Sequence, residues 1–452
     1  MLEKSRRMWF LIGIILLVMS FGFCVSAVEV MQPEDASIDW QQCAGQEINI
    51  LDIAHSTSMI LEPMIPQFEK LTGIKVNHLM MDENKMRVKR TEDLLAGAGR
   101  YDIHQIGLTI VPQYYKAKWL EDLTPFIGDA SLTDPEFFDY EGIGKPLRDG
   151  QIFNDYICAI PNMFCGVYPH YRTDILAEAG MWFPQEWEDV PSLYMPKLKT
   201  FMSNTYKIPA FVTRGKKGAG ANTAYASMLH RDWGGEWFDE KGKPIFNSPE
   251  GVAALECYAD CMDPANGAPI GGEGLGMYEI RQMFYLGQVA SILTSGDLVG
   301  MFDDPTTSNI VGKWDATIAP RGPVKRTCLL WTWAYGMSSH SKKKDAAWLF
   351  IQWATSPATM LQWGAQVPPP RLSLWESEEF RKIREIHPGW VDAERWALLF
   401  GMPDCQPLIP EFPEWGEYYG IAIANVIAGR QTAQEALDLA CKQVAKVVGY
   451  SE

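Results

Sequence analysis

Apolar residues run in short unbroken blocks between residues 48 and 106, and at helical spacing between those blocks. Ile48–Ile53 reads as a buried strand, and Met64, Phe68 and Leu71 follow at the spacing of one helix face before Gly73, a helix stop. Ile74–Met80 predicts the next strand, and Tyr101–Ile106 a third after a charged helix. Strand and helix in alternation imply an α/β fold with a parallel sheet covered by helices. Further along, Tyr156–Pro161, Val289–Leu293 and Leu329–Met337 read as strands, and Gly251–Met262 and Ala346–Trp353 as helices. Thr432 and Glu435 form a capping box, followed by Leu437, Ala440, Val444 and Val447 on one helical face. Residues 28–46 look like a loose leader. With no repeat and no low-complexity linker, the chain predicts lobes joined by crossing strands. In open α/β sheets ligands sit beyond the carboxyl ends of strands, which points at His55 to Met59, Ser56 among them, and at His104 to Gly107.

The beginning of the chain has a different pattern. Lys4, Arg6 and Arg7 precede an apolar stretch from Met8 to Val25 that ends in Val25-Ser26-Ala27. This predicts a secretory signal over residues 1–27, cleaved after Ala27. A retained anchor is the rival reading, because the stretch approaches spanning length. Cys24 follows Phe23, where lipid attachment would want a small residue. No later stretch is long enough to span a bilayer, so the sequence predicts a periplasmic or secreted protein.

The formal charge of −16 becomes −18 when three cations and Glu3 leave with the signal. Such a chain is repelled by phosphate backbones, which argues against nucleic acid as a partner. Eight of the nine cysteines lie beyond residue 27, and the expected compartment permits disulfides. Cys158/Cys165 and Cys257/Cys261 are the close pairs. Cys257 and Cys261 share a helix face and rarely meet disulfide geometry there, so buried free thiols are the simpler reading.

Enzyme motifs are missing. The histidines are scattered, and no His-Glu-x-x-His, Gly-x-Ser-x-Gly or Walker loop occurs. Arg214-Gly-Lys-Lys-Gly-Ala-Gly lacks the ending of a phosphate loop, and Asp303-Asp304 stands beside Pro305 in a turn. No metal ligand set and no cofactor signature emerges. Seventeen tryptophans are the unusual feature, several of them flanking polar or glycine-rich turns. A saccharide offers apolar C–H faces fringed by hydroxyls, and needs flat aromatic walls with placed polar partners. Trp331, Trp333 and Tyr335 fall on one face of their strand. From sequence, a face stacked on ligand and a face in the core look the same.

Several segments carry a family resemblance in their order along the chain. They are Met81-Asp-Glu-Asn-Lys-Met-Arg-Val-Lys-Arg-Thr, Tyr101-Asp-Ile-His-Gln-Ile-Gly, Thr213 to Asn222 and Phe284-Tyr-Leu-Gly-Gln-Val-Ala. Further on come Trp331-Thr-Trp-Ala-Tyr-Gly, Ser341-Lys-Lys-Lys-Asp-Ala-Ala and Val367-Pro-Pro-Pro-Arg-Leu-Ser. The chain resembles the extracellular solute-binding proteins of family 1, which serve importers of the ATP-binding cassette class, and within them the sorbitol and mannitol branch. The resemblance implies a two-lobed periplasmic-binding-protein fold with an interlobe hinge. Residues 45–158 plus 320–366 would form the N-terminal lobe and residues 159–319 plus 367–452 the C-terminal lobe. Crossings would fall near Ile157–Pro161, Thr317–Pro320 and Val367–Arg371. It further implies a non-enzymatic monomer that closes on a sugar or polyol and delivers it to the membrane permease. One stretch departs from the branch: Asn162-Met-Phe-Cys-Gly-Val-Tyr168 lacks the acidic residue found there, which counts against sorbitol or mannitol itself. Peptide, polyamine or phosphorylated ligands, or an enzyme on the same frame, are the alternatives.

Site residues follow from these readings. The resemblance places Trp331 or Trp333 at the cleft edge for stacking. Loop positions after strand ends give Asp297, Gln105, Arg214 and Asn222 as hydrogen-bonding groups. The matching segments add Glu83 and Arg371, and Tyr168 and Ser56 complete the set. Carboxylate and guanidinium suit vicinal hydroxyls because each holds two oxygens in fixed geometry.

Overall fold

A computed structural model describes residues 30–54, 56–363 and 367–450. The expected signal segment, with Cys24 and Ala27, therefore lies outside the described residues, as does His55.

Strand β1 (Glu47–Ile53) is buried along most of its length and pairs in parallel with β2 (Lys75–Met81) and β3 (Ile103–Gly107). Between β1 and β2, α1 (Ile65–Thr72) ends where expected, with Gly73 at φ 69° donating its N–H to Glu69 O. Glycine tolerates that left-handed conformation without a Cβ clash. Phe68 of α1 packs with ring centroids 5.2 Å from both Phe350 and Trp353 of α6 (Lys344–Ala354). Helices α2 (Glu83–Leu95), α3 (Asn222–Asp232), α4 (Pro249–Asp260) and α5 (Met277–Tyr285) lie between α1 and α6 in the chain. Beyond α6 come α7 (Pro388–Phe400), α8 (Phe412–Ile427) and α9 (Ala433–Val447).

The strand expected over Tyr156–Pro161 is divided. Tyr156–Ile157 pairs with Ile152–Phe153, and a 13-residue strand, β4 (Ile160–Arg172), starts beyond it. The sheet continues with β5 (Phe211–Val212), β6 (Ser291–Ser295), β7 (Trp314–Ala316) and β8 (Leu330–Met337). Its order is β2-β1-β3-β8-β4-β6-β5, with β7 also on β4. The strand–helix alternation predicts parallel pairing, which holds for β1–β2, β1–β3 and β5–β6. The middle of the sheet is antiparallel: β8 lies against β3 and β4, and β4 against β6 and β7. The reason is geometric, because β4 runs from the first half of the sheet into the second and β8 runs back. Pro161 is opposite Ala334 where the β4–β8 register shifts, so its missing N–H falls at an irregularity.

This is a two-lobed α/β frame whose halves share β4 and β8. Helices α3, α4, α8 and α9 pack together on the β5–β6 side, and α7 packs on β4 and β7. The capping box is made, with Glu435 N–H to Thr432 Oγ1 at 3.2 Å and Thr432 N–H to Glu435 Oε2 at 3.0 Å. The leader, expected to be loose, is anchored from Val30 on. Trp40 and Cys43 are buried, and Ser37 donates twice to Asp134 Oδ2, at 2.7 and 2.8 Å. All eight described cysteines are buried and unpaired.

Candidate functional site

A cavity of about 340 Å³ lies where β4 and β8 pass between the two halves. Its floor is β4. Alternate residues Met163, Cys165 and Val167 line it, and strand pleating sends Asn162, Phe164 and Tyr168 to the opposite face. One wall is aromatic: Trp331 and Trp333 share a face of β8, with ring centroids 6.2 Å apart in an edge-to-face pair. Gly107, at the end of β3, leaves room for both rings. A Cβ there would stand 2.9 Å from Trp331 Cζ2 and 3.3 Å from Trp333 Cζ3. From α2, the Arg87 guanidinium lies 5.8 Å from the Trp333 centroid and donates to Glu83 Oε1 through Nε at 3.0 Å.

The facing wall carries Asp297, in the turn after β6. Arg281 of α5 reaches it from behind. The buried guanidinium donates to the Asp297 carboxylate, to Ser295 O at 2.8 Å, to Ser295 Oγ at 2.7 Å and to Thr294 Oγ1 at 3.2 Å. Burial alone pulls the Arg281 pKa down, but Asp297 more than offsets this and holds it above the usual arginine value. Behind the same turn, a Cβ on Gly296 would lie 1.8 Å from Tyr168 Oη and 2.0 Å from Glu394 Oε1. Burial pushes Glu394 up to about 8, so at neutral pH this carboxyl is protonated and adds no second negative charge behind Asp297. Arg214 completes the wall, its guanidinium 5.2 Å from the Tyr225 ring centroid and its carbonyl accepting from Tyr258 Oη at 2.7 Å.

The structure thus brings together Asp297, Trp331, Trp333, Arg214 and Glu83 around one cavity. The other expected residues sit elsewhere. Asn222 is buried, and its Nδ2 donates to Gly215 O at 3.2 Å and Gly420 O at 2.9 Å, fastening the glycine loop to α8. Gln105 is buried and accepts from Ile53 N–H at 3.3 Å. Arg371 is a buried strut, donating to Thr355 O and Phe138 O, each at 2.8 Å, and to Asp139 O. Tyr168 stands behind the Gly296 turn. The backbone of Ser56 opens the turn of helix Ser56–Leu61, and its side chain is outside the description. Sequence reasoning missed Arg87, Tyr225 and the β4 floor. The floor needed the true start of β4. Tyr225 lines the cavity with its neighbour Ala224, and could be assigned there only once α3 was placed.

Among the described residues no histidine lines the cavity, and no group of His, Cys, Asp and Glu could hold a metal ion. Burial raises the Cys165 thiol well above its ordinary pKa, so the floor presents a neutral thiol. No described helix is long and apolar enough to cross a membrane. The chemistry on offer is apolar stacking beside charge-assisted hydrogen bonding.

Residues 55–361 match the sequence profile of the bacterial extracellular solute-binding proteins. The chain belongs to this family. This solute-binding protein is 25% identical over 442 residues to the erythritol/L-threitol-binding protein of Mycolicibacterium smegmatis, covering 90% of this chain and 87% of that one. It is 25% identical over 421 residues to the mannitol-binding protein of Pseudomonas aeruginosa, covering 89% and 93%. Its fold superposes with a TM-score of 0.73 on a transporter solute-binding protein of Agrobacterium vitis S4 with bound D-mannitol. That pair is 25% identical, over 90% of this chain and 100% of the other.

Proposed function

We propose that this protein captures a sugar or sugar alcohol by lobe closure and hands it to the permease of an ATP-binding cassette importer. The observation that carries the reading is the cavity itself: Glu83 and Arg87 reach it from one half, Arg214 and Asp297 from the other, with the tryptophan pair between. A ligand touching both halves binds the closed form better than the open one and shifts the population towards it. Its volume, at the low end of the roughly 300–1,000 Å³ of small-molecule sites, suits a monosaccharide-sized molecule. The polyols named for the relatives support the same class. The protein acts as a monomer without catalysis or cofactor, outside the cytoplasm, after cleavage following Ala27. Its lobes are residues 45–158 with 320–366, and 159–319 with 367–452.

The test is a thermal-shift panel of tetritols, pentitols, hexitols, hexoses, amino acids and polyamines on the exported protein. A true ligand at a hundredfold excess over its Kd adds about 2.7 kcal/mol of stability. A shift with a polyol or sugar supports the reading. A shift confined to amino acids or polyamines overturns it.

A further inference from the structure

The charges around the cavity do not cancel. Glu83 is paired with Arg87, and Asp297 with Arg281. Arg214 is left over. It forms no ion pair with any described residue, and its Nε is buried without an acceptor. Fully buried Arg281, behind the lining residues Ser295 and Asp297, likewise keeps an Nη1 donor without an acceptor. Arg214 lies over Tyr225, whose hydroxyl accepts from Ser295 N–H at 3.2 Å, beside the main-chain and side-chain oxygens that Arg281 holds. On this side of the cavity the lining carboxylate, Asp297, is already held from behind by Arg281, and Arg214 has no carboxylate of its own among the described residues. Lys216 and Lys217 follow on the same loop, exposed and also without an ion pair among the described residues.

Leaving a guanidinium half-buried with an unsatisfied donor costs stability unless a bound group satisfies it. A hydroxyl would satisfy the hydrogen bond but not the charge. A planar or tetrahedral oxyanion satisfies both, because the guanidinium fork matches two of its oxygens. Accepting the cavity as the ligand site, we infer that the ligand carries an oxyanion, a carboxylate or phosphate monoester, at one end of a polyhydroxylated chain. Arg214 grips that end against Tyr225, while Asp297 and the tryptophan wall take the hydroxylated part.

Calorimetry with three matched six-carbon probes tests this: D-glucitol, D-gluconate and D-glucitol 6-phosphate, titrated into the exported protein. At least one acid should bind about tenfold or more tighter than D-glucitol, as a charge-assisted hydrogen bond predicts. The acid that wins identifies carboxylate or phosphate as the anchor. In Arg214→Gln, checked for an unchanged melting curve, the preference should collapse, whereas Arg214→Lys should retain part of it. Added salt should weaken the acid and leave D-glucitol unaffected. D-Glucitol binding as tightly as both acids, or a preference that survives Arg214→Gln, overturns the inference and leaves sugar capture standing. No binding by any probe, alongside an empty thermal-shift panel, overturns both.

Discussion

Trp331 and Trp333 share a face of β8 but not an environment. Trp333 is 7% exposed and packed into the core, whereas Trp331 is partly open to the cavity. Trp331→Ala should therefore lower ligand affinity by about tenfold or more while shifting the melting temperature little. Trp333→Ala should also cost roughly 3–5 kcal/mol of stability, as for a core aromatic. Calorimetry paired with urea unfolding separates the two outcomes. Asp297 is bound up with folding for a different reason. Asp297→Asn keeps an acceptor for the ligand but strands the buried Arg281 charge. It should reduce affinity and also destabilise the fold by about 3 kcal/mol, read as a lower urea midpoint. Strand parity put 331 and 333 on one face of their strand, and the structure has both rings on the cavity side of β8. The sequence reading failed at Asn222, Gln105 and Arg371. Polar residues that satisfy buried main-chain groups look, in sequence, like polar residues awaiting a ligand.

At the level of elements, β4 explains most of what was hidden. Its 13 residues include two prolines and a glycine, which argue against a central strand, and only pairing on both edges makes it one. Once its start is known, alternation assigns Met163, Cys165 and Val167 to the floor and Tyr168 to the back. The turn after β6 depends on that back face. Gly296→Ala would place a methyl carbon against Tyr168 Oη and Glu394 Oε1, both backed by α7 and β4 and with little room to move. The substitution should cost roughly 1–3 kcal/mol and displace Asp297, lowering the unfolding midpoint and the ligand affinity together. Elements with strong local signals, such as α1 with its Gly73 stop and α9 with its capping box, were legible directly. The mixed strand order was not, because pairing partners are set by contacts distant in sequence.

For the whole molecule, buried ionisable groups fix how stability varies with pH. Burial raises Glu394 from 4.5 and Asp232 from 3.8, each to about 8. The native state therefore holds protons that the unfolded chain has released, and stability falls as pH rises through about 8. His104, His170 and His230 are pushed by burial from 6.5 to about 3, so stability falls again as pH drops below 6.5. Stability should peak near pH 6.5 and decline towards pH 8, by up to about 1.4 kcal/mol per unit for each acid. Urea midpoints measured across that range should show the decline, and Glu394→Gln should roughly halve it, leaving the share of Asp232. A midpoint that rises from pH 6.5 to 8 would contradict the assignment.

The eight unpaired cysteines have a consequence for how the molecule comes into being. Thiolates are the species that oxidants attack, and burial keeps Cys165 and Cys328 far from ionising. That protection exists only after folding. Under the export proposed above, a chain emerging unfolded into an oxidising space would expose every thiol at its ordinary reactivity, and the completion of folding would race against disulfide capture. Oxidised glutathione should spare the native protein yet sharply reduce recovery when it is present during refolding from urea, and dithiothreitol should restore that recovery. Substitutions that merely slow folding would then become irreversible losses of yield, because each delay gives the wrong sulfur–sulfur bonds more time to form.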